Sequence, residues 1–118
     1  MAFIVNNYDI AVDRFDYGVD MVWDLKNPDD TDFNLDDYDV QFIVKAAKYE
    51  EDSQAIFNTI INGSESSVSV PLMESLTSNP AGTYYYALRL IRDGQFVDTI
   101  LQAQFIIRGN TFAEGVNG

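Results

Sequence analysis

This sequence contains neither histidine nor cysteine, so acidic residues supply most of the side chains that could act in acid–base catalysis or bind a metal. Without histidine and cysteine there can be no Ser-His-Asp triad, no Cys-His pair and no zinc site of the usual ligand types. Acid–base catalysis would need a pair of carboxylates. No spacing among the 19 Asp and Glu residues singles out such a pair. We therefore expect no catalytic residues and no enzymatic activity.

The densest acidic segment, residues 29–37, is the one candidate for a metal site. Four oxygen-bearing side chains alternate there, as the first ligands of an EF-hand loop do: Asp30, Asp32, Asn34 and Asp36. An EF-hand also needs a turn glycine and a bidentate glutamate, where this sequence has Leu35 and Gln41. A solvated loop is the favoured interpretation. The sequence predicts no metal ligands and no cofactor. One alternative stays open, which is weak Ca²⁺ binding by a looser set of oxygens in the 29–37 loop.

The overall composition restricts the partners and the compartment. A formal charge of −12 repels nucleic-acid phosphates and anionic lipid. The charge serves either solubility or docking onto a basic partner surface. No apolar run approaches the ~20 residues that span a bilayer, and residues 1–7 lack the basic and apolar regions of a signal peptide. We expect synthesis in a cytoplasm, with no nucleic-acid or membrane partner.

The clearest structural pattern lies in residues 80–108, which contain two alternating runs joined by Arg92-Asp93-Gly94-Gln95. Alternation with a period of two indicates strands with one buried face. The predicted core side carries Tyr84, Tyr86, Leu88, Leu90, Thr99, Leu101, Ala103, Phe105 and Ile107. An Asp-Gly pair favours a tight hairpin turn. The segment therefore predicts a β-hairpin.

Similar short runs occur earlier in the chain. Strands are predicted within residues 3–12, 16–25, 38–47, 55–61 and 66–72, and residues 73–79 predict a turn or one helical turn. In 16–25 the predicted core side carries Tyr17, Val19, Met21, Trp23 and Leu25, and in 38–47 it carries Tyr38, Val40, Phe42, Val44 and Ala46. We predict an all-β fold, an immunoglobulin-like antiparallel β-sandwich of about seven strands, with a barrel as the alternative. We expect residues 1–118 to form one domain, with a core at about 8–108 and a flexible C-terminal tail at 109–118.

The hairpin begins with a sequence that favours the sandwich. Gly82-Thr83-Tyr84 looks like the Gly-x-Tyr corner of immunoglobulin-like domains, in which the tyrosine hydroxyl bonds to upstream backbone. Gly82 and Tyr84 are therefore predicted to be structural corner residues, whereas Tyr85 falls on the opposite face. The candidate partner contacts are Tyr85 and the apolar residues near the two ends of the sequence, Phe3, Ile4, Val5 and Phe112.

The motifs between residues 16 and 108 carry a resemblance. Val40-Gln41-Phe42-Ile43-Val44 matches a V-x-F-x-V strand, Ser69-Val70-Pro71-Leu72 a short strand after a serine-rich turn, and residues 76–84 a Leu…Ala-Gly-x-Tyr corner. A closing hairpin pattern is matched by Tyr86, Leu88, Leu90, Asp93, Gly94, Thr99 and Phe105. In these motifs the chain resembles a family of small bacteriophage virion domains with immunoglobulin-like folds, such as the N-terminal domain of phage baseplate upper proteins.

The resemblance implies a non-enzymatic structural role, as a capsid decoration, neck, tail or baseplate accessory protein. The expected partners are other virion proteins in a multi-copy symmetric assembly, and the expected location is the virion after synthesis in the host cytoplasm. The alternative function is an adhesion or carbohydrate-binding module. That alternative requires an exposed aromatic platform.

Overall fold

The computed structural model describes residues 9–27, 29–63 and 66–110, and within these the chain forms seven strands and two short helical segments. The strands are β1 (Ile10–Asp13), β2 (Asp20–Asp24), β3 (Asp39–Lys45), β4 (Phe57–Asn62), β5 (Ser67–Pro71), β6 (Gly82–Arg92) and β7 (Gln95–Arg108). A 3-10 turn at Asp52–Gln54 precedes β4, and α1 (Glu74–Thr77) follows β5. The single helical turn predicted within residues 73–79 is confirmed.

The strands form two sheets. One has five strands in the order β1-β7-β6-β3-β4, and the other consists of β2 and β5. The fold is an all-β sandwich, as predicted. The sheet is mixed rather than wholly antiparallel, because β1 runs parallel to β7. Parallel neighbours cannot be joined by a tight turn, and here most of the domain connects the two strands. The alternation of residues within a strand does not indicate which strand it pairs with or in which direction.

The core fills the space between the two sheets, with aromatic rings at its centre. Trp23 of β2 packs against Phe42 of β3 and Tyr86 of β6, with ring centroids 5.6 and 5.8 Å away. The Trp23 indole Nε1 donates a hydrogen bond of 3.2 Å to the Tyr86 hydroxyl, so its one polar atom is paired inside an apolar environment. Trp23 is thus a packing residue that joins the two sheets.

The predicted hairpin is present, but the prediction of which side chains face the core was wrong at one residue. Asp93 and Gly94 both have positive φ angles, 52° and 75°, as a two-residue turn of this kind requires. Two register shifts interrupt the β6–β7 pairing, one between Leu88 and Arg89 and the other between Leu90 and Ile91. Thr99 therefore pairs with Arg89 on the outer face, and the prediction that Thr99 faces the core was wrong. A bulge inserts an extra residue and so changes which face the next side chain takes.

The strand predicted at 16–25 is shorter in the structure. β2 begins only at Asp20, because Gly18 adopts a φ of 95° that interrupts the extended chain. Met21, Trp23 and Leu25 face inward, but Tyr17 and Val19 are exposed. The prediction that these last two residues belong to the core was wrong, since they precede the point where the strand starts.

The central strand β3 is buried on both faces. Val40, Phe42 and Val44 face the sandwich core as predicted, whereas Ala46 lies beyond the end of the strand and is exposed. On the other face Gln41 and Ile43 are buried as well. Side chains must therefore cover the outer surface of the five-stranded sheet at β3.

Candidate functional site

The predicted corner has the geometry of a structural element. Tyr84 is buried, and its hydroxyl donates a hydrogen bond of 2.6 Å to the carbonyl oxygen of Pro80. Gly82 begins β6 and is exposed. The bond links the strand to the segment that follows α1.

The acidic loop uses much of its hydrogen-bonding capacity internally. Asn34 Oδ1 accepts a bond of 2.8 Å from the backbone N–H of Asp36. The Thr31 hydroxyl and backbone N–H donate to Asp29 and lower the pKa of its carboxyl, and an ion pair with Asp32 raises the pKa of Lys26. Among the described residues no three acidic side chains come together as a metal-holding group. The prediction that this loop binds Ca²⁺ weakly or not at all stays a prediction.

An open concavity of about 550 Å³ lies on the outer face of β3, β6 and β7 and is here called the outer concavity. Its lining includes Lys45, Lys48, Tyr49, Tyr85, Arg89, Thr99, Gln102 and Gln104. The strand register explains the grouping, because Lys45 is opposite Tyr85 and Arg89 is opposite Thr99. Directly opposed residues share one face of a sheet.

One wall of the outer concavity is fixed by an ion-pair network. Asp52 lies on the 3-10 turn and binds Lys45 at 2.8 Å and Arg89 at 3.0 Å. Hydrogen bonds from Arg89 and then Lys45 lower the pKa of Asp52 from 3.8 to about 2. The Arg89 guanidinium also lies 4.6 Å from the centre of the Phe96 ring. Two of the cations in the concavity are thereby held in place, and the single carboxylate of Asp52 neutralises their joint charge in part.

Lys48 and the two tyrosines form the more accessible wall. Within the described residues Lys48 forms no ion pair, and its ammonium lies 5.3 Å from the centre of the Tyr85 ring. Tyr49 is 97% exposed. Tyr85, the predicted partner contact on the outer face, is half-buried and lines the concavity, and its contact with a partner stays a prediction.

The opposite wall carries amides. Gln102 and Gln104 of β7 are exposed and line the outer concavity. The backbone N–H of Gln104 donates a bond of 2.9 Å to the carboxylate of Asp9, which stands at the rim. The arrangement therefore offers an ammonium, one exposed and one half-buried tyrosine ring, neutral hydrogen-bonding groups and one carboxylate around one open space.

Sequence reasoning found only Tyr85 among the residues of this site. Lys45, Lys48 and Asp52 lie about forty residues before Arg89 in the chain. No local motif relates them: the β3–β6 register brings Lys45 to Tyr85, and the path of the β3–β4 connection brings Lys48 and Asp52 to the same face. The available signal was that Tyr85 and Arg89 share the outward parity of β6.

A second surface lies on the other sheet, at one end of β2 and β5. Gly18 N–H donates to the Leu72 carbonyl at 3.1 Å and Leu72 N–H donates to the Val19 carbonyl at 2.8 Å, so the two segments are neighbours. They carry large exposed apolar side chains, here called the apolar end patch: Tyr17 (64% exposed), Val19 (61%) and Met73 (48%). Exposed acidic residues stand beside them in the chain, namely Asp16, Asp20 and Glu74.

The remaining predicted contacts, Phe3, Ile4, Val5 and Phe112, lie outside the described residues. Neither helical segment in the described part of the chain has the length and apolar character needed to cross a membrane. Comparison of the chain with protein-family models, curated proteins and solved structures gives no match.

Proposed function

We propose that this chain is a non-enzymatic phage virion structural protein, a capsid decoration, neck, tail or baseplate accessory that acts through protein–protein contacts. The β-sandwich fold and the motifs shared with phage virion domains support this role. The observation that carries it is the apolar end patch. Exposed apolar side chains that are neighbours in space, with a polar rim, are typical of protein–protein contact surfaces.

The chemistry of the rim favours one kind of partner. Exposed acidic residues flank Tyr17, Val19 and Met73 in the sequence, and the whole chain has a charge of −12. A partner with basic residues around an apolar depression would bury the patch and pair with the rim. In a symmetric particle many copies would bind the same partner surface, so that even a weak contact holds the protein through avidity.

The test is attachment of the purified chain to particles of the phage that encodes it, with salt as a variable. Replacing Tyr17, Val19 and Met73 together by serine should reduce attachment about tenfold or more, since it removes the apolar contact. Ile60→Ser is the matched control, because Ile60 is an exposed apolar residue of β4 in the other sheet. Wild-type attachment should weaken at high salt, where the acidic rim is screened.

Two results would contradict the proposal at different points. Wild-type chain that is absent from the particles and does not attach to them would overturn the virion role. A triple variant that attaches as well as the wild type would retain the virion role and move the contact surface away from the apolar end patch.

The alternative function, an adhesion or carbohydrate-binding module, is favoured by a different observation. Tyr49 and Tyr85 stand at the outer concavity, and Tyr49 is almost completely exposed. An exposed aromatic ring at a concavity is consistent with the platform that such a module requires, and it lies on the opposite sheet from the apolar end patch.

A further inference from the structure

We infer that the outer concavity binds a saccharide whose sugar rings carry carboxylates. The inference concerns a different surface from the apolar end patch and does not depend on the virion role. Its volume of about 550 Å³ is in the ordinary range for ligand sites. The wall formed by Lys45 and Arg89 is held by ion pairs with Asp52 and needs little ordering when a ligand arrives.

The charge of the ligand follows from the charged groups that line the concavity, which are three cations and the carboxylate of Asp9, already hydrogen-bonded to the backbone N–H of Gln104. Asp52 neutralises Lys45 and Arg89 in part, whereas the Lys48 ammonium has no carboxylate partner within the described residues. Lys48 is exposed and lines the same concavity. An ammonium in this position can donate a charge-assisted hydrogen bond to a carboxylate of the ligand.

The sugar character of the ligand follows from the remaining walls. The exposed ring of Tyr49 offers an apolar face and a hydroxyl, which suit the C–H face and the hydroxyl groups of a pyranose. Gln102 and Gln104 each present an amide that can donate and accept hydrogen bonds, as sugar hydroxyls also do. A simple inorganic anion would use Lys48 but would leave the ring and the amides without a role.

The overall charge of the protein limits the affinity. At −12 the chain repels an anionic ligand at long range, and only the local field of Lys48 favours it. We expect weak binding by one copy, with a Kd on the order of 1 mM. A multi-copy array would raise the apparent affinity.

The experiment is an NMR titration of the full ¹⁵N-labelled chain with a tetrasaccharide of alternating glucuronic acid and N-acetylglucosamine. Amide shifts should change at Lys48, Tyr85 and Gln102 and should not change at Tyr17. The neutral tetramer of N-acetylglucosamine should bind about tenfold more weakly, because it cannot pair with Lys48.

Two pairs of variants localise the effect. Lys48→Met should weaken binding of the acidic tetrasaccharide about tenfold and leave the weak binding of the neutral one unchanged. Its control is Lys26→Met, because Lys26 is also a lysine that is at least partly exposed, but it pairs with Asp32 at a different place in the chain. Tyr49→Ala should weaken binding of both sugars, with Tyr17→Ala as the control on the other sheet. All four side chains are at least partly exposed, and thermal melting checks that each variant is folded.

Three outcomes would overturn the inference. The first is an absence of shift changes in the outer concavity at saturating sugar concentrations. The second is equal affinity for the acidic and neutral tetrasaccharides, which would remove the carboxylate from the proposal. The third is Lys48→Met protein that binds the acidic sugar as tightly as Lys26→Met protein does.

Discussion

Tyr84 and Tyr86 face the same core but use their hydroxyl groups differently. The Tyr84 hydroxyl donates to Pro80, an exposed residue, whereas the Tyr86 hydroxyl accepts the buried indole N–H of Trp23. Tyr84→Phe leaves a carbonyl that water can reach, and should lower the free energy of unfolding by about 1 kcal/mol. Tyr86→Phe leaves a buried donor without this acceptor, and should cost up to about 3 kcal/mol.

Urea denaturation of the two variants measures these costs. Each substitution removes only one oxygen atom, so the two variants are controls for each other. A larger cost for Tyr84→Phe than for Tyr86→Phe would show that the bond to Pro80 is the more important of the two.

Asp52 gives part of the stability a defined pH dependence. Its pKa falls from 3.8 to about 2 in the folded protein because Arg89 and Lys45 donate hydrogen bonds to the carboxylate. The contribution is fully present above about pH 4 and is lost as the pH falls toward about 2. Asp52→Asn should therefore be less stable than the wild type at pH 5, and the difference should shrink as the pH approaches 2.

Chemical denaturation at several pH values follows this difference. Asp37→Asn is the matched control, because Asp37 is an exposed acidic residue with no hydrogen bond or ion pair among the described residues. A difference between wild type and Asp52→Asn that stays constant from pH 5 to pH 2 would rule out the ion-pair contribution.

At the scale of the elements, two glycines are required for different reasons. Gly94 has a φ of 75° with open space around it, so Gly94→Ala should cost only the strain of that angle, about 1 kcal/mol. Gly63 donates its N–H to the Tyr38 carbonyl at 2.8 Å. A Cβ at Gly63 would collide with that carbonyl oxygen and lie 2.5 Å from the Leu35 carbonyl oxygen.

Gly63→Ala should therefore destabilise the protein more than Gly94→Ala, because backbone at the end of β4 must move to accommodate the methyl group. Thermal unfolding compares the two. Gly94→Asn serves as the control for the turn, since asparagine tolerates a positive φ and should be nearly neutral there. Equal effects of the two alanine substitutions would mean that the contact at Gly63 relaxes easily.

The alternation of residues predicted the strands well where each strand has one wet face. In β5 the inward residues are Val68 and Val70, and the outward ones are Ser67 and Ser69, as predicted. The pattern failed at Tyr17 and Val19, which continue the alternation of β2 but lie on the two sides of Gly18, before the strand begins at Asp20. It also failed at Thr99, because a bulge changes the face of a residue without changing the sequence pattern around it.

At the scale of the molecule, the two outer faces differ in character. The face of β2 exposes Asp20, Val22 and Asp24, whereas the outer face of β3 and β6 carries Lys45 and Arg89. The sequence reports only the total charge of −12. How the charges divide between the faces depends on which strands pair and in what register, so composition alone could predict an acidic surface but not the basic concavity on it.

The same dependence on register decided what could be predicted about the outer concavity. Tyr85 was placed on the outer face by its parity alone. Lys48, Tyr49 and Asp52 lie in the connection between β3 and β4, where no period applies. Only the folded path of that connection brings them to Arg89.

The two register shifts of the β6–β7 hairpin have a consequence for changes in chain length. Val97 and Ile100 are the residues of β7 that the pairing with β6 passes over. Deleting almost any other residue of a paired strand would exchange inward and outward side chains along part of it. Deleting Val97 would leave Phe96 opposite Ile91 and Asp98 opposite Leu90, with every remaining side chain on its present face. Loss of Ile100 would preserve the faces equally but would remove a buried side chain. A variant of this chain that is one residue shorter in β7 would therefore be best tolerated if the missing residue were Val97.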